Sequence, residues 1–355
     1  MDGRIAERKK GRLIFQTLPP ETVRTAEKHI HDILRIVVEH TPERRVLVVY
    51  DRGCPLSACL TDAYRLCLPG APFIDFDAVE TQSIFSLFEQ LSPSDLVVLI
   101  QSTSFRLEAF RIRVELFNRS LKVIEHPHLS RISAGEELFY VESLAYDPAY
   151  YRGVGEMLKD RLERAKRGVV DSGGEELVFD SGFEPVKMNV GDYRNTKNVG
   201  GQFPIGEVFT EARDLEAVNG SVRIFAFGDA DFLLNTPEKP ITLEVRRGRV
   251  VSAAGSTPEF DKVLSAIREE EGEVWLRELG FGMNRAFTHE RTVGDIGTYE
   301  RMCGVHLSLG AKHGLYKKPQ IKRKEAKFHV DVFAVTERVL LDGEVVYCDG
   351  GWIRP

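Results

Sequence analysis

The sequence lacks the signatures of several function classes. None of its five cysteines (Cys54, Cys59, Cys67, Cys303, Cys348) stands in a CxxC pair. Their odd number and irregular spacing fit neither a disulfide framework nor a zinc ribbon, and they suit a reducing, cytoplasmic setting. No GxGxxG and no GxxxxGK[ST] occurs, so the dinucleotide fingerprint and the P-loop are both missing. No apolar run approaches the roughly eighteen residues of a membrane span. The charged start, Met1 to Arg12, is not followed by the apolar stretch of a signal peptide. Neither sign of charge dominates: a net charge of −6 gives no reason to expect nucleic acid or an anionic membrane as partner.

What is present is a globular composition, 43% apolar and 29% charged over 355 residues, enough for two domains and a sizeable core. In the first part, buried-type strands at 45–51 and 95–100 and a shorter one at 121–124 alternate with helical stretches at 21–40, 56–68, 83–91 and 105–117. Strands alternating with helices predict a doubly wound α/β domain with a mostly parallel sheet, over residues 1–150. His29 and His31 lie two apart on a helix, share no face, and read as surface residues. His126 and His128 flank Pro127 and read as solvated loop residues. Asp51, at a strand end, reads as a cap or turn residue with a place in a cleft as its alternative.

A helix at 150–166 leads into a different texture. Short alternating segments split by glycine, with one clear helix at 258–271, predict a β-rich α+β domain over residues 151–355. Four clusters in it carry chemistry. Gly206-Glu207-Val208-Phe209-Thr210 follows a loop bent by glycine and proline, which brings Glu207 to the start of a strand. Glu278 sits in an apolar, glycine-rich segment, where a lone carboxylate is costly without a cation. His306 is the single imidazole in Gly304-Val305-His306-Leu307-Ser308-Leu309-Gly310. In Lys327-Phe328-His329-Val330-Asp331-Val332-Phe333, His329 and Asp331 are i and i+2, so on a strand they project side by side. Taken singly, Glu207 reads as a surface strand residue, Glu278 as a partner of Arg277 or another arginine, and His306 as a core histidine. Together, three carboxylates and two imidazoles suit divalent Zn, Co, Mn or non-haem Fe, and can balance two ions.

In this order the four clusters resemble the motifs of the thermophilic-type metallo-aminopeptidases (aminopeptidase T and PepS). Glu278-Leu279-Gly280-Phe281-Gly282-Met283-Asn284 stands for an E-x-x-x-G-x-N segment of that family. Glu216-Ala217-Val218-Asn219-Gly220-Ser221-Val222 and the closing Asp342-Gly343-Glu344 to Gly350 are similar to two further segments. The resemblance runs from about Glu176 to the end. It implies an α/β domain followed by a metal-carrying domain, a homodimer, and release of N-terminal amino acids from peptides or small amides by two Zn, Co or Mn ions. Glu207, Glu278, His306, His329 and Asp331 would be the ligands. The family's catalytic tyrosine falls at His313 here, with Tyr316 nearby, so His313 and Tyr316 are the candidate oxyanion donors, with Glu207 as a further catalytic candidate. The interval between His306 and His329 is shorter than the family's and is basic (Lys312, Lys317, Lys318, Lys322, Arg323, Lys324, Lys327), which suggests a cationic rim for an acidic or carboxylated substrate. Dihydroxypyridine dioxygenases look similar as well. For these, His306, His329 and Asp331 would hold one Fe(II). A relative that keeps the metal or the fold without catalysis is the third expectation.

Overall fold

A computed structural model describes residues 17–107, 110–322 and 326–354. Its first sheet has five parallel strands in the order Gly200–Gln202, Lys122–His126, Leu96–Ile100, Val46–Tyr50, Phe73–Asp75. The continuous apolar runs read as strands because both faces are covered. Val46, Val48, Tyr50, Leu96, Val98 and Ile100 enter the main core with helices Pro20–Asp32 and Pro55–Cys67. The alternate residues Leu47, Val49, Val97 and Leu99 pack with Ile84, Phe88, Ile112 and Leu116 on the other face. One edge strand, Gly200–Gln202, comes from well beyond residue 151.

Two local readings need correction. The helix expected at 105–117 covers only Ile112–Asn118, and Arg106–Leu107 pairs with Phe110–Arg111 before it. Phe105 is fixed to the sheet instead, with its ring stacked on Phe76 at 4.0 Å and its N–H donating to Gln101 Oε1. His126 is not a loop residue. It ends a strand, fully buried, between the Tyr64 and Tyr140 hydroxyls at 2.9 Å each. Tyr140 donates its own proton to the Phe203 carbonyl, so it accepts from His126 Nδ1, and His126 Nε2 accepts from Tyr64. His128, beside it, is half-buried and bonded to Ser104 Oγ. Asp51 is buried in a turn, where it accepts from the N–H groups of Gly53 and Ser102.

The second sheet is large and antiparallel, with a branching hairpin at Ile241–Arg246 and Arg249–Ala254. Its middle runs Val218–Gly228, Val330–Ala334, Gly304–Leu309, Leu276–Gly282, Glu207–Glu211, Lys187–Asn189. Helix Pro148–Arg164 packs Tyr151, Val154, Leu158 and Leu162 into the same core that lies under the first sheet. Among the described residues no helix is long and apolar enough to cross a membrane.

Candidate metal centre

Four neighbouring strands of the second sheet each carry one of the sequence-predicted groups. In register, Gly280 lies opposite His306 and Ser308 opposite Asp331. Directly opposed residues of an antiparallel pair share a face, so His306, Gly280 and Asp331 are brought to one side of the sheet. Gly280 leaves the space that the imidazole fills: a Cβ there would stand 2.0 Å from His306 Nε2. A β-bulge between Leu276 and Leu279 adds a residue to that strand and re-aims Arg277 and Glu278. Ser308 Oγ then receives the Glu278 N–H.

The donor atoms of Glu207, Glu278 and His306 all lie within 4.8 Å of one another, and all three residues are buried. His306 Nε2 is 3.4 Å from Glu207 Oε1 and 3.5 Å from Glu278 Oε1. Two ligands of a tetrahedral ion at about 2.1 Å each would stand about 3.4 Å apart. His306 Nε2 has no hydrogen-bond partner in its buried position, and the two carboxylates beside it call for positive charge, from a proton on the ring or from a metal ion. Burial lowers the affinity of His306 for a proton, but the two carboxylates more than reverse this and lift its pKa to about 10. For Glu278, burial acts upward, and the His306 and His313 imidazoles override it and bring its carboxyl below the usual range.

His329 and Asp331 form a second pair beside this one. His329 Nε2 is 3.2 Å from Asp331 Oδ1, a buried oxygen that also lacks a hydrogen bond. Its Nδ1 donates to the Lys312 carbonyl at 3.2 Å, which leaves Nε2 facing the carboxylate. Two acceptors at that distance need a proton or a metal between them. Burial lowers the His329 pKa and Asp331 overrides that effect, to about 10. His329, just before the strand Val330–Ala334, and Asp331 within it stand side by side as their spacing predicts, while Val332 is buried on the opposite face.

Neighbouring groups hold the glutamates. Arg301, buried, places Nη2 3.3 Å from Glu207 Oε2 and pairs also with Glu300. Burial, and then the charge of Asp331, raise the Glu300 carboxyl well above the ordinary range. Neither Glu300 nor Arg301 is among the residues the sequence reading singles out, since both sit in an irregular segment without periodicity. His313 Nε2 is 2.8 Å from Glu278 Oε2. Its Nδ1 accepts the N–H groups of Leu315 and Tyr316, so the neutral ring carries its proton on Nε2 and donates it to Glu278. Tyr316 packs its ring against His313 at 4.8 Å and donates its hydroxyl to the Pro185 carbonyl.

Two expectations about charge change here. Arg277 is not the partner of Glu278. It is buried with Glu211 and donates to the carbonyls of Ala311 and Tyr316. Lys318 does not belong to a cationic rim either. It is buried against Glu184 and Glu211 and donates to the carbonyls of Ala212 and Arg213. Arg277 and Lys318 together brace the segment that carries His313. Lys327 is paired with Glu270, Lys312 and Lys317 are exposed, and Arg323 and Lys324 lie outside the described residues.

No family model and no curated protein matches the chain. Solved structures similar to it include the following two. One is the 2,5-dihydroxypyridine dioxygenase from Pseudomonas putida KT2440, with a TM-score of 0.59 and 14% identity over 96% of this chain and 99% of that one. The other is wild-type AmpT from Thermus thermophilus, with a TM-score of 0.56 and 15% identity over 93% of this chain and 99% of that one. At such identities the likeness concerns the fold, which this chain shares with both along nearly its whole length.

Proposed function

We propose that this protein is a metal-dependent hydrolase that removes an N-terminal amino acid from a peptide or a small amide. The observation that carries the proposal is the convergence of Glu207, Glu278 and His306 on one point, next to the His329–Asp331 pair. Glu207, Glu278 and His306 would hold one ion, and His329 with Asp331 a second. Bound divalent ions of this kind polarise a carbonyl and lower the pKa of water. The protein's own part is to orient and to shield: buried strands exclude bulk water, Ser308 fixes the backbone of Glu278, and His313 presents a proton on a known nitrogen at the edge of the cluster. Arg301 keeps the negative charge of Glu207 compensated. A cytoplasmic homodimer is the proposed setting, and light scattering of the purified chain tests the dimer.

A second reading has its own support. The glutamates already have partners in Arg301 and His313, so His306, His329 and Asp331 would suffice as a two-histidine, one-carboxylate set for one Fe(II). The dioxygenase neighbour is consistent with that reading. Metal content separates the two. The chain is loaded with Zn, Co or Mn, or anaerobically with Fe(II), and bound metal is counted per chain. Leucyl-p-nitroanilide hydrolysis and oxygen uptake on 2,5-dihydroxypyridine are then assayed. Two ions with hydrolysis supports the peptidase, and one iron with oxygen uptake replaces it. No bound ion after loading removes both and leaves the non-catalytic relative.

A further inference from the structure

The four carboxylate oxygens of Glu207 and Glu278 divide into two sets. Both Oε1 atoms face His306 Nε2, at 3.4 and 3.5 Å. Both Oε2 atoms are engaged from behind by nitrogen groups that are not ligands: Arg301 Nη2 at 3.3 Å on Glu207, and His313 Nε2 at 2.8 Å on Glu278. We infer that Arg301 and His313 are positioning residues that hold the two glutamates as one-oxygen ligands of a common ion. The inference rests on the metal site proposed above and goes further in assigning how each carboxylate binds.

The chemistry follows from which groups can donate. A guanidinium has no lone pair and cannot bind a metal. His313 is excluded as a ligand by its surroundings, because its Nδ1 lone pair already accepts two backbone N–H groups and its Nε2 carries the proton. Each therefore turns one carboxylate oxygen away from the ion. A carboxylate held in this way neither chelates with both oxygens nor bridges to the His329–Asp331 pair. Arg301 and His313 are themselves anchored. Arg301 donates to the Gly297 carbonyl and pairs with Glu300, while the segment bearing His313 is tied down through Arg277 and Lys318.

The test uses the full chain, stripped by chelator and checked for folding by circular dichroism. Zinc affinity is measured by competition with a chromophoric chelator, and the visible spectrum of the Co(II) form reports coordination number. Arg301→Met and His313→Phe are each expected to weaken zinc binding about 10- to 100-fold, the range for groups that orient a ligand. They are also expected to reduce the intensity of the Co(II) bands as a released carboxylate chelates through both oxygens. Arg301→Lys and His313→Gln, which keep a donor, should recover part of the affinity. Arg301→Met leaves the buried Glu207 and the half-buried Glu300 without their cation. Should it fail to fold, His313→Phe and Arg301→Lys carry the test. Wild-type affinity and an unchanged Co(II) spectrum in the folded variants would overturn this assignment alone. A wild-type chain that binds no ion would overturn the proposed function along with it.

Discussion

Two fully buried histidines, one under each sheet, show what separates a structural imidazole from a candidate metal ligand. His126 and His306 both lose solvent completely, and burial lowers the pKa of both. His126 lies between two tyrosine hydroxyls, neutral groups that satisfy a neutral ring, and its pKa drops to about 3. His306 lies between two carboxylates, and its pKa rises to about 10. The first is complete without a ligand. The second holds its positive charge between two anions, at a place where a divalent ion would displace the ring's proton.

The sharpest way to break this contrast is to remove the anions or the nitrogen. His306→Ala and Glu278→Ala are each expected to lower metal affinity by about 100-fold or more and to abolish activity, because a three-donor set loses one member. Metal counting after dialysis reads this, with circular dichroism showing that the α/β part stays folded. Metal retained at wild-type level in both variants would end the ligand assignment. His329→Ala asks the same of the second pair. Gly280→Ala acts on the same nitrogen from the side. With a Cβ only 2.0 Å from Nε2, the ring must swing out of the cluster. Loss of metal without loss of fold is expected, and normal zinc affinity would count against the placement of His306.

The pH dependence has a definite sign. His306 and His329 are protonated near neutrality in the metal-free chain, so metal must displace protons, and affinity rises with pH toward about 10. Calorimetry in buffers of differing ionisation enthalpy should find proton release at pH 7. Stability of the metal-free protein follows the same logic. Both histidines have a folded pKa above the unfolded value, so their contribution is complete below about 6.5 and is lost as pH climbs through about 10. The depressed Glu278 and Asp331 contribute above their unfolded values and lose that contribution in acid. His126, neutral throughout this window, adds nothing to either slope, and its ring should not titrate by NMR between about pH 5 and 9. His126→Phe sharpens the comparison from the other side. It strands the Tyr64 hydroxyl at a cost of about 1–3 kcal/mol by urea unfolding, while zinc affinity stays as in the wild type.

These cases also show what was legible in the chain. His329 and Asp331 could be placed together from spacing alone, because a strand repeats every two residues. The four segments could be recognised because each is short and apolar, and three of them hold or adjoin glycine. Their lateral order in the sheet could not, since register depends on partners far away in sequence. Arg301 and Glu300 carry no periodic signal, and only their position just before His306 points to them. His126 was hidden by Pro127, which looks like loop although the preceding strand is buried on both faces. Lys318 was hidden by the basic run around it. A charge run usually means solvated side chains, and here one of its members is buried against Glu211. The bulge at Arg277 and Glu278 breaks the simple alternation that would have sent them to opposite faces.

The smallest expected effect separates the two candidate oxyanion donors, His313 and Tyr316. Tyr316 is three residues from His313 and packs on its ring, so either could be named from sequence as the oxyanion donor. The structure gives their protons different fates. The hydroxyl of Tyr316 is spent on the Pro185 carbonyl at 2.7 Å, whereas the single proton of His313 points into the carboxylate cluster. Tyr316→Phe removes one neutral hydrogen bond and leaves the ring in place. It should cost about 0.5–1.5 kcal/mol in unfolding free energy and change zinc affinity and turnover by no more than about twofold. A loss of turnover of about 100-fold or more, with metal content intact, would give Tyr316 the oxyanion role and require its hydroxyl to leave Pro185 when substrate binds.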